Sequence, residues 1–215
     1  MLTILTMRID ILKNAPDRAG RYWATFDDGT KMGFYRQTVE DFGLYSGKEL
    51  SETEWNALLH AAGKMSARMR AVRIVSASSV SKRDLEERLI RKGEDCIHAK
   101  EAVQWMEDLQ LVDDRNTAEQ VVHSCISRGY GLARAKQALY EKRIPKEYWE
   151  EALDDYPDQL DKRCSFLNTR LNADSDERQI RRAINALMRR GHSYGLIKQA
   201  LDSLCFDSED YIEDD

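Results

Sequence analysis

The sequence predicts a mainly α-helical fold, an elongated tandem array of three three-helix repeats behind a small N-terminal antiparallel β module. Three observations lead there. The composition, 33% charged and 42% hydrophobic with 3 Pro and 11 Gly in 215 residues, favours helices joined by short turns. Strand-like alternation is confined to the front of the chain. Behind it, apolar and basic positions recur without gaps at separations of 48 and 50 residues.

At the front, RYWATF and KMGFY flank Asp27-Asp28-Gly29-Thr30, the pattern of two strands around a tight turn. With a segment over 3–12 they predict a three-stranded meander. A small sheet alone is marginal and needs its apolar face covered. TVEDFGLYSGKEL supplies a short helix ending at Gly43 and a turn at Gly47, which closes the module at residues 1–50. Ser51-Glu52-Thr53-Glu54 then fits a capping box. Trp55, Leu58, Leu59, Ala62, Met65, Met69 and Val72 follow at three- and four-residue steps, predicting a helix over 51–77 with a kink at Gly63.

The repeat is not where the letters first suggest it. RGYGLARAKQAL (128–139) and RGHSYGLIKQAL (190–201) look alike, but matching them needs a two-residue gap. A shift of 48 keeps the pattern ungapped: Leu132, Arg134, Ala135 and Leu139 fall on Ile180, Arg182, Ala183 and Leu187, and Trp149, Ala152 and Leu153 on Ile197, Ala200 and Leu201. A shift of 50 sets Leu89, Lys92 and Ala102 beneath Leu139, Lys142 and Ala152. Each unit has a first helix (64–77, 116–127, 160–171), a second closing on a basic residue (LIRKG, LYEKR, LMRRG), and a third (HAKEAV, YWEEAL, LIKQAL). The divisions expected are 51–113 for a linker helix and first repeat, 114–156 and 157–206 for the second and third, and 207–215 for an acidic tail.

Several function classes drop away. A formal charge of -5 argues against coating nucleic acid by bulk charge, so any anionic partner has to be met locally. The chain lacks a P-loop, GxSxG, HExxH and dinucleotide fingerprint, so no enzyme is expected. Cys96, Cys125, Cys164 and Cys205 are far apart and read as reduced, mostly buried thiols of a cytosolic protein. Cys96-x-His98 and His123-x-Cys125 point about 200° apart on a helix, which disfavours a shared metal. Asp113-Asp114 reads as a helix cap rather than a catalytic pair. The opening MLTILTMRIDIL lacks the long apolar stretch and small-residue cleavage site of a signal peptide, so none is expected, and no run in the sequence approaches the roughly 20 apolar residues that a membrane span needs.

The basic residues are more informative. Nine Lys or Arg stand against three acids over 64–92, and six against none over 178–198. At 100° per residue, Arg178, Arg181, Arg182 and Arg189 share one helix face and Ile180, Ala183, Ile184 and Leu187 the opposite one. Such a stripe is either an ordinary solvated face or a surface for carboxylates or phosphates. The lack of acids at three- or four-residue spacing within that window favours binding. Trp149 reads as core, and Tyr130 and Tyr194 as braces of turns. The tail DSEDYIEDD reads as a solubilising end, with shielding of a basic face as the alternative.

LVDDRNTAEQVV, SRGYGLARAKQALYEKRIPKEYWEEAL and LMRRGHSYGLIKQAL, in that order, resemble the RecX family over residues 66–204. The front module, with GLYSGKEL, resembles the extension of that family's longer members. The resemblance implies a crescent of three-helix repeats that binds the groove of the RecA filament on single-stranded DNA. It also implies a negative regulator of recombination, DNA repair and the SOS response that limits filament growth, ATP hydrolysis and strand exchange. Its partner-binding candidates are Tyr130, Arg134, Lys136, Arg181, Arg182, Arg189 and Arg190, to which the stripe adds Arg178. Arg68, Arg70, Arg73, Arg88, Arg91 and Lys92 form a secondary basic face. A cytoplasmic monomer without cofactor or metal is expected, with direct contact to single-stranded DNA left open. The sequence departs from the family pattern at Arg143, where Gly is common, and at His192, where an aromatic is usual. The alternatives are a single-stranded nucleic-acid-binding module acting without the recombinase, and a scaffold whose basic stripes are only solvated.

Overall fold

The structure is a computed structural model and describes residues 6–204. It divides between Val112 and Asp113 into two compact units. The first opens with an antiparallel sheet of β1 (Met7–Leu12), β2 (Arg21–Phe26), β3 (Lys31–Tyr35) and β4 (Glu49–Leu50), in the order β3-β2-β1-β4. The expected three-stranded meander is corrected to four strands, because β4 pairs antiparallel with β1 through Met7 and Leu50. Two residues are too few to show alternation, so this strand reads as a turn in the sequence. Residues 3–5 of the expected first strand lie outside the described residues.

Ile9, Ala24, Phe26, Phe34 and Leu50 are buried on one face of this sheet. Helix α1 (Arg36–Asp41) and the first half of α2 (Glu52–Ala77) cover it, with Trp55 edge-on to Phe26 at 4.8 Å between ring centres. Ser51 caps α2 and Glu54 returns the bond, as a capping box requires. The helix has 26 residues and spans about 39 Å at 1.5 Å per residue. It serves two cores: Leu58 faces the sheet, while Ala67, Ala71 and Ile74 pack with α3 (Lys82–Arg91) and α4 (Cys96–Asp108). Helix α2 runs unbroken through Gly63, the place of the expected kink. A Cβ there would lie 2.5 Å from the His98 ring, so Gly63 instead lets α4 approach.

The second unit holds α5 (Asp114–Ser127), α6 (Leu132–Glu141), a 3₁₀ turn (Lys146–Tyr148) running into α7 (Trp149–Leu153), α8 (Leu160–Asn168), α9 (Glu177–Arg189) and α10 (Tyr194–Ser203). Asp113 caps α5 by accepting from the amides of Arg115 and Asn116. Ala118, Val122, Leu139 and Ile144 form one core, and Leu167, Ile180, Ala183, Leu187, Ile197 and Leu201 another. Helix α7 is short because Pro145 precedes its 3₁₀ lead-in and Tyr156-Pro157 follows it. Trp149 is half-buried and donates its indole N–H to the Ile144 carbonyl at 3.0 Å. Helix α8 stops three residues before the expected end at 171, although Leu171 is still buried.

The repeat register shows in the backbone. After α3, α6 and α9 the chain turns through the left-handed region at Gly93 (φ 89°), Arg143 (φ 57°) and Gly191 (φ 87°). Leu89, Leu139 and Leu187 are fully buried four residues earlier in each case. The turn that Arg143 occupies without the usual glycine is thus formed all the same. The expectation of mostly buried thiols is corrected: Cys125 is buried, Cys164 is half-buried, and Cys96 is exposed at the start of α4. Cys205 and the acidic tail lie outside the described residues. No helix among the described residues is long and apolar enough to cross a membrane.

Candidate partner-binding surface

Helix α9 is fixed from both ends. Asp176 and Gln179 form a capping box at its start, and Gly191 ends it. Ile180, Ala183, Ile184 and Leu187 are buried, which leaves Arg178, Arg181, Arg182 and Arg189 exposed on the other side. Arg178, Arg182 and Arg189 have no ion-pair partner among the described residues. Arg181 does have one: Glu177 lies 2.8 Å away, one turn earlier. The acid-free window starts at 178 and so missed this partner by one residue.

The remaining candidates of this unit divide by what they already touch. Arg190 is half-buried, with its guanidinium 4.7 Å from the centre of the Phe166 ring and 5.8 Å from that of Tyr130. Arg170 approaches the same Phe166 ring at 3.7 Å. Arg134 pairs with Glu141 at 2.9 Å, which commits its charge internally. Lys136 is exposed. Tyr130 braces its turn through the main chain, since its carbonyl accepts from the Tyr156 hydroxyl at 2.7 Å and from the Gln159 amide at 2.6 Å.

The two glycine-rich turns that look alike in sequence touch in space. The Gly131 amide donates to the Arg190 carbonyl at 2.9 Å. His192, 6% exposed, bonds through Nε2 to the Gly129 carbonyl at 3.1 Å. Burial holds its imidazole below the ordinary histidine value, opposed by the Gly129 bond and aided by Arg163 and Arg190, with Asp158 acting the other way. A cleft of about 440 Å³ opens beside this junction, lined in part by Arg128, Lys162, Phe166 and Arg190. Lys162 and Phe166 escaped the sequence reading because neither belongs to a basic run or a repeated motif. Their neighbour Arg163 is a buried cation, 1% exposed and 2.6 Å from Asp158.

In the first unit, Arg68 leaves the secondary basic face and lies over the Trp105 ring at 4.9 Å. Arg70, Arg73, Arg88, Arg91 and Lys92 converge on a single cleft.

A small sheet followed by tandem three-helix units defines a helical-repeat protein. Residues 113–153 match the family model described as RecX, second three-helix domain. The chain is 27% identical to the regulatory protein RecX of Clostridioides difficile, over 94% of this chain and 97% of the relative. It is 25% identical to that of Oceanobacillus iheyensis, over 92% and 75%. The crystal structure of a regulatory protein RecX superposes with a TM-score of 0.61 at 21% identity, over 91% of this chain and 99% of that one, and shares its fold. The chain is thus similar to regulatory proteins RecX along most of its length.

Proposed function

We propose that the chain is a non-enzymatic negative regulator of homologous recombination and DNA repair. It binds the RecA–single-stranded DNA filament and inhibits its growth, ATP hydrolysis and strand exchange, acting as a cytoplasmic monomer. One observation carries the reading: Arg178, Arg182 and Arg189 stand exposed and, among the described residues, without an acidic partner, on a helix whose opposite face is locked in the core. Arginine forks set at such spacing suit carboxylates or phosphates presented by a regular assembly. The net charge of -5 suits a protein partner more than bare DNA.

The test is single-strand-dependent ATP hydrolysis by the cognate recombinase, with this protein titrated well below the recombinase concentration. The wild type inhibits, because stopping a growing end needs few molecules. A variant with Arg178, Arg182 and Arg189 changed to Ala loses that inhibition. No inhibition at any dose by the wild type sinks the proposal. Inhibition untouched by the triple change removes α9 from the contact surface.

A further inference from the structure

Five cations meet in one cleft of the first unit: Arg70 and Arg73 from α2, with Arg88, Arg91 and Lys92 from the end of α3. The cleft encloses about 510 Å³ above Ile74 and Ala77. Like charges brought to facing walls repel, so the arrangement calls for counter-charge. Part of it is built in. Glu94 lies 2.7 Å from Arg70 and Asp84 lies 2.8 Å from Arg88, with carboxylate side chains only 7% and 14% exposed. Both acids are thus fixed in place and already used.

The other three cations have no acidic partner among the described residues. Arg73 is held by two neutral acceptors of the strand module, the Ala19 carbonyl at 3.2 Å and the Tyr35 hydroxyl at 3.0 Å. Those bonds tether the guanidinium without cancelling its charge. Arg91 and Lys92 are exposed at the cleft's edge. Cations at a helix C-terminus are favoured by its dipole, which accounts for the placing of Arg91 and Lys92. Arg70 joins them by donating to the Lys92 carbonyl at the end of α3 at 2.8 Å, but neither the dipole nor such a bond accounts for Arg73.

We infer that this cleft is a phosphate-binding site, taking a phosphoryl group either of a nucleotide strand or of a free polyphosphate. Phosphate offers several acceptor oxygens to planar arginine forks, and up to two negative charges where a carboxylate brings one. Three uncancelled cations match the first better than the second. The strand module gains a purpose from this arrangement, since Ala19 and Tyr35 position Arg73 at the mouth of the site. The inference stands on the cleft alone and holds whether or not the arginine face of α9 meets a recombinase.

Calorimetric titration of the full chain tests it, with inorganic tripolyphosphate, a thymidylate oligonucleotide and polyglutamate as separate probes. The wild type binds tripolyphosphate. Arg91→Ala with Lys92→Ala, an exposed pair whose fold is checked by circular dichroism, weakens binding by about tenfold or more, because charge-assisted hydrogen bonds are lost. Tyr35→Phe weakens it too, by releasing Arg73. If the oligonucleotide also binds, and the double variant's salt slope is shallower by about 1.4, the phosphate belongs to a strand. Tripolyphosphate binding alone assigns the site to free polyphosphate. The inference is overturned if neither phosphate binds, if the double variant binds like the wild type, or if polyglutamate binds as tightly as tripolyphosphate. The ATP hydrolysis assay is independent of all three outcomes, so the two proposals fail separately.

Discussion

Gly131 and Gly191 meet main chain to main chain: a Cβ on Gly131 would lie 2.1 Å from the Gly191 carbonyl oxygen, and one on Gly191 would lie 2.3 Å from the Arg134 amide nitrogen. Neither gap admits any side chain. The junction joins the turn before α6 to the turn after α9 through hydrogen bonds from Gly131 to Arg190 and from Ala133 to Gly191. Buried main-chain groups that lose such partners are costly, so the fit has to be close on both sides.

Gly131→Ala is therefore expected to destabilise the chain by roughly 3 kcal/mol, since backbone rather than a movable side chain blocks the added methyl. Gly195→Ala is the control. It sits in the first turn of α10 with nothing within 4 Å of the new Cβ, and should be neutral or stabilising by up to about 1 kcal/mol. Urea denaturation of the two variants beside the wild type decides it. Equal effects would mean that the junction does not constrain the fold.

His192 adds a pH dependence to the same junction. Its folded pKa lies below its unfolded value, so on acidification the unfolded chain takes the proton first. Stability is then full above the unfolded value of about 6.5 and declines as the pH falls below it. Denaturation midpoints between pH 7.5 and pH 5 should fall more steeply in the wild type than in His192→Phe, which has no proton to take up. Parallel curves would show that the imidazole is not strained by its burial.

Arg143 occupies a left-handed position that glycine fills in the corresponding turns at Gly93 and Gly191. Side chains with a Cβ are held there at a cost of about 1–2 kcal/mol, part of which glycine returns through its freer unfolded chain. Arg143→Gly should raise stability by roughly 0.5–1 kcal/mol, read as a higher urea midpoint at unchanged slope. A lower midpoint would mean that contacts of the arginine side chain outweigh the backbone cost.

What could be read from the sequence follows from how local each signal is. The Ser51 and Glu54 capping box, the Asp113 cap and the buried side of α9 depend on residues a turn apart, and each was visible as spacing. The ungapped repeat carried Leu89, Leu139 and Leu187 to equivalent buried places. Contacts between distant residues left no such trace. Nothing in the spacing shows His192 beside Gly129, Arg68 on Trp105, or β4 against β1. At the candidate surface, helical periodicity showed which arginines face outward. It did not show that Arg134 and Arg181 were already engaged, one with a glutamate seven residues on and the other with one just outside the window considered.

The continuity of α2 has a consequence for how the first unit opens. Its two cores share one uninterrupted helix, so neither can fray without dragging on hydrogen bonds that support the other. The sheet and the first three-helix bundle therefore behave as one cooperative unit, and amides near Gly63 exchange with solvent only when both let go. A chain cut back to remove the strands leaves Trp55 and Leu58 bare on the helix and loosens the bundle beyond it.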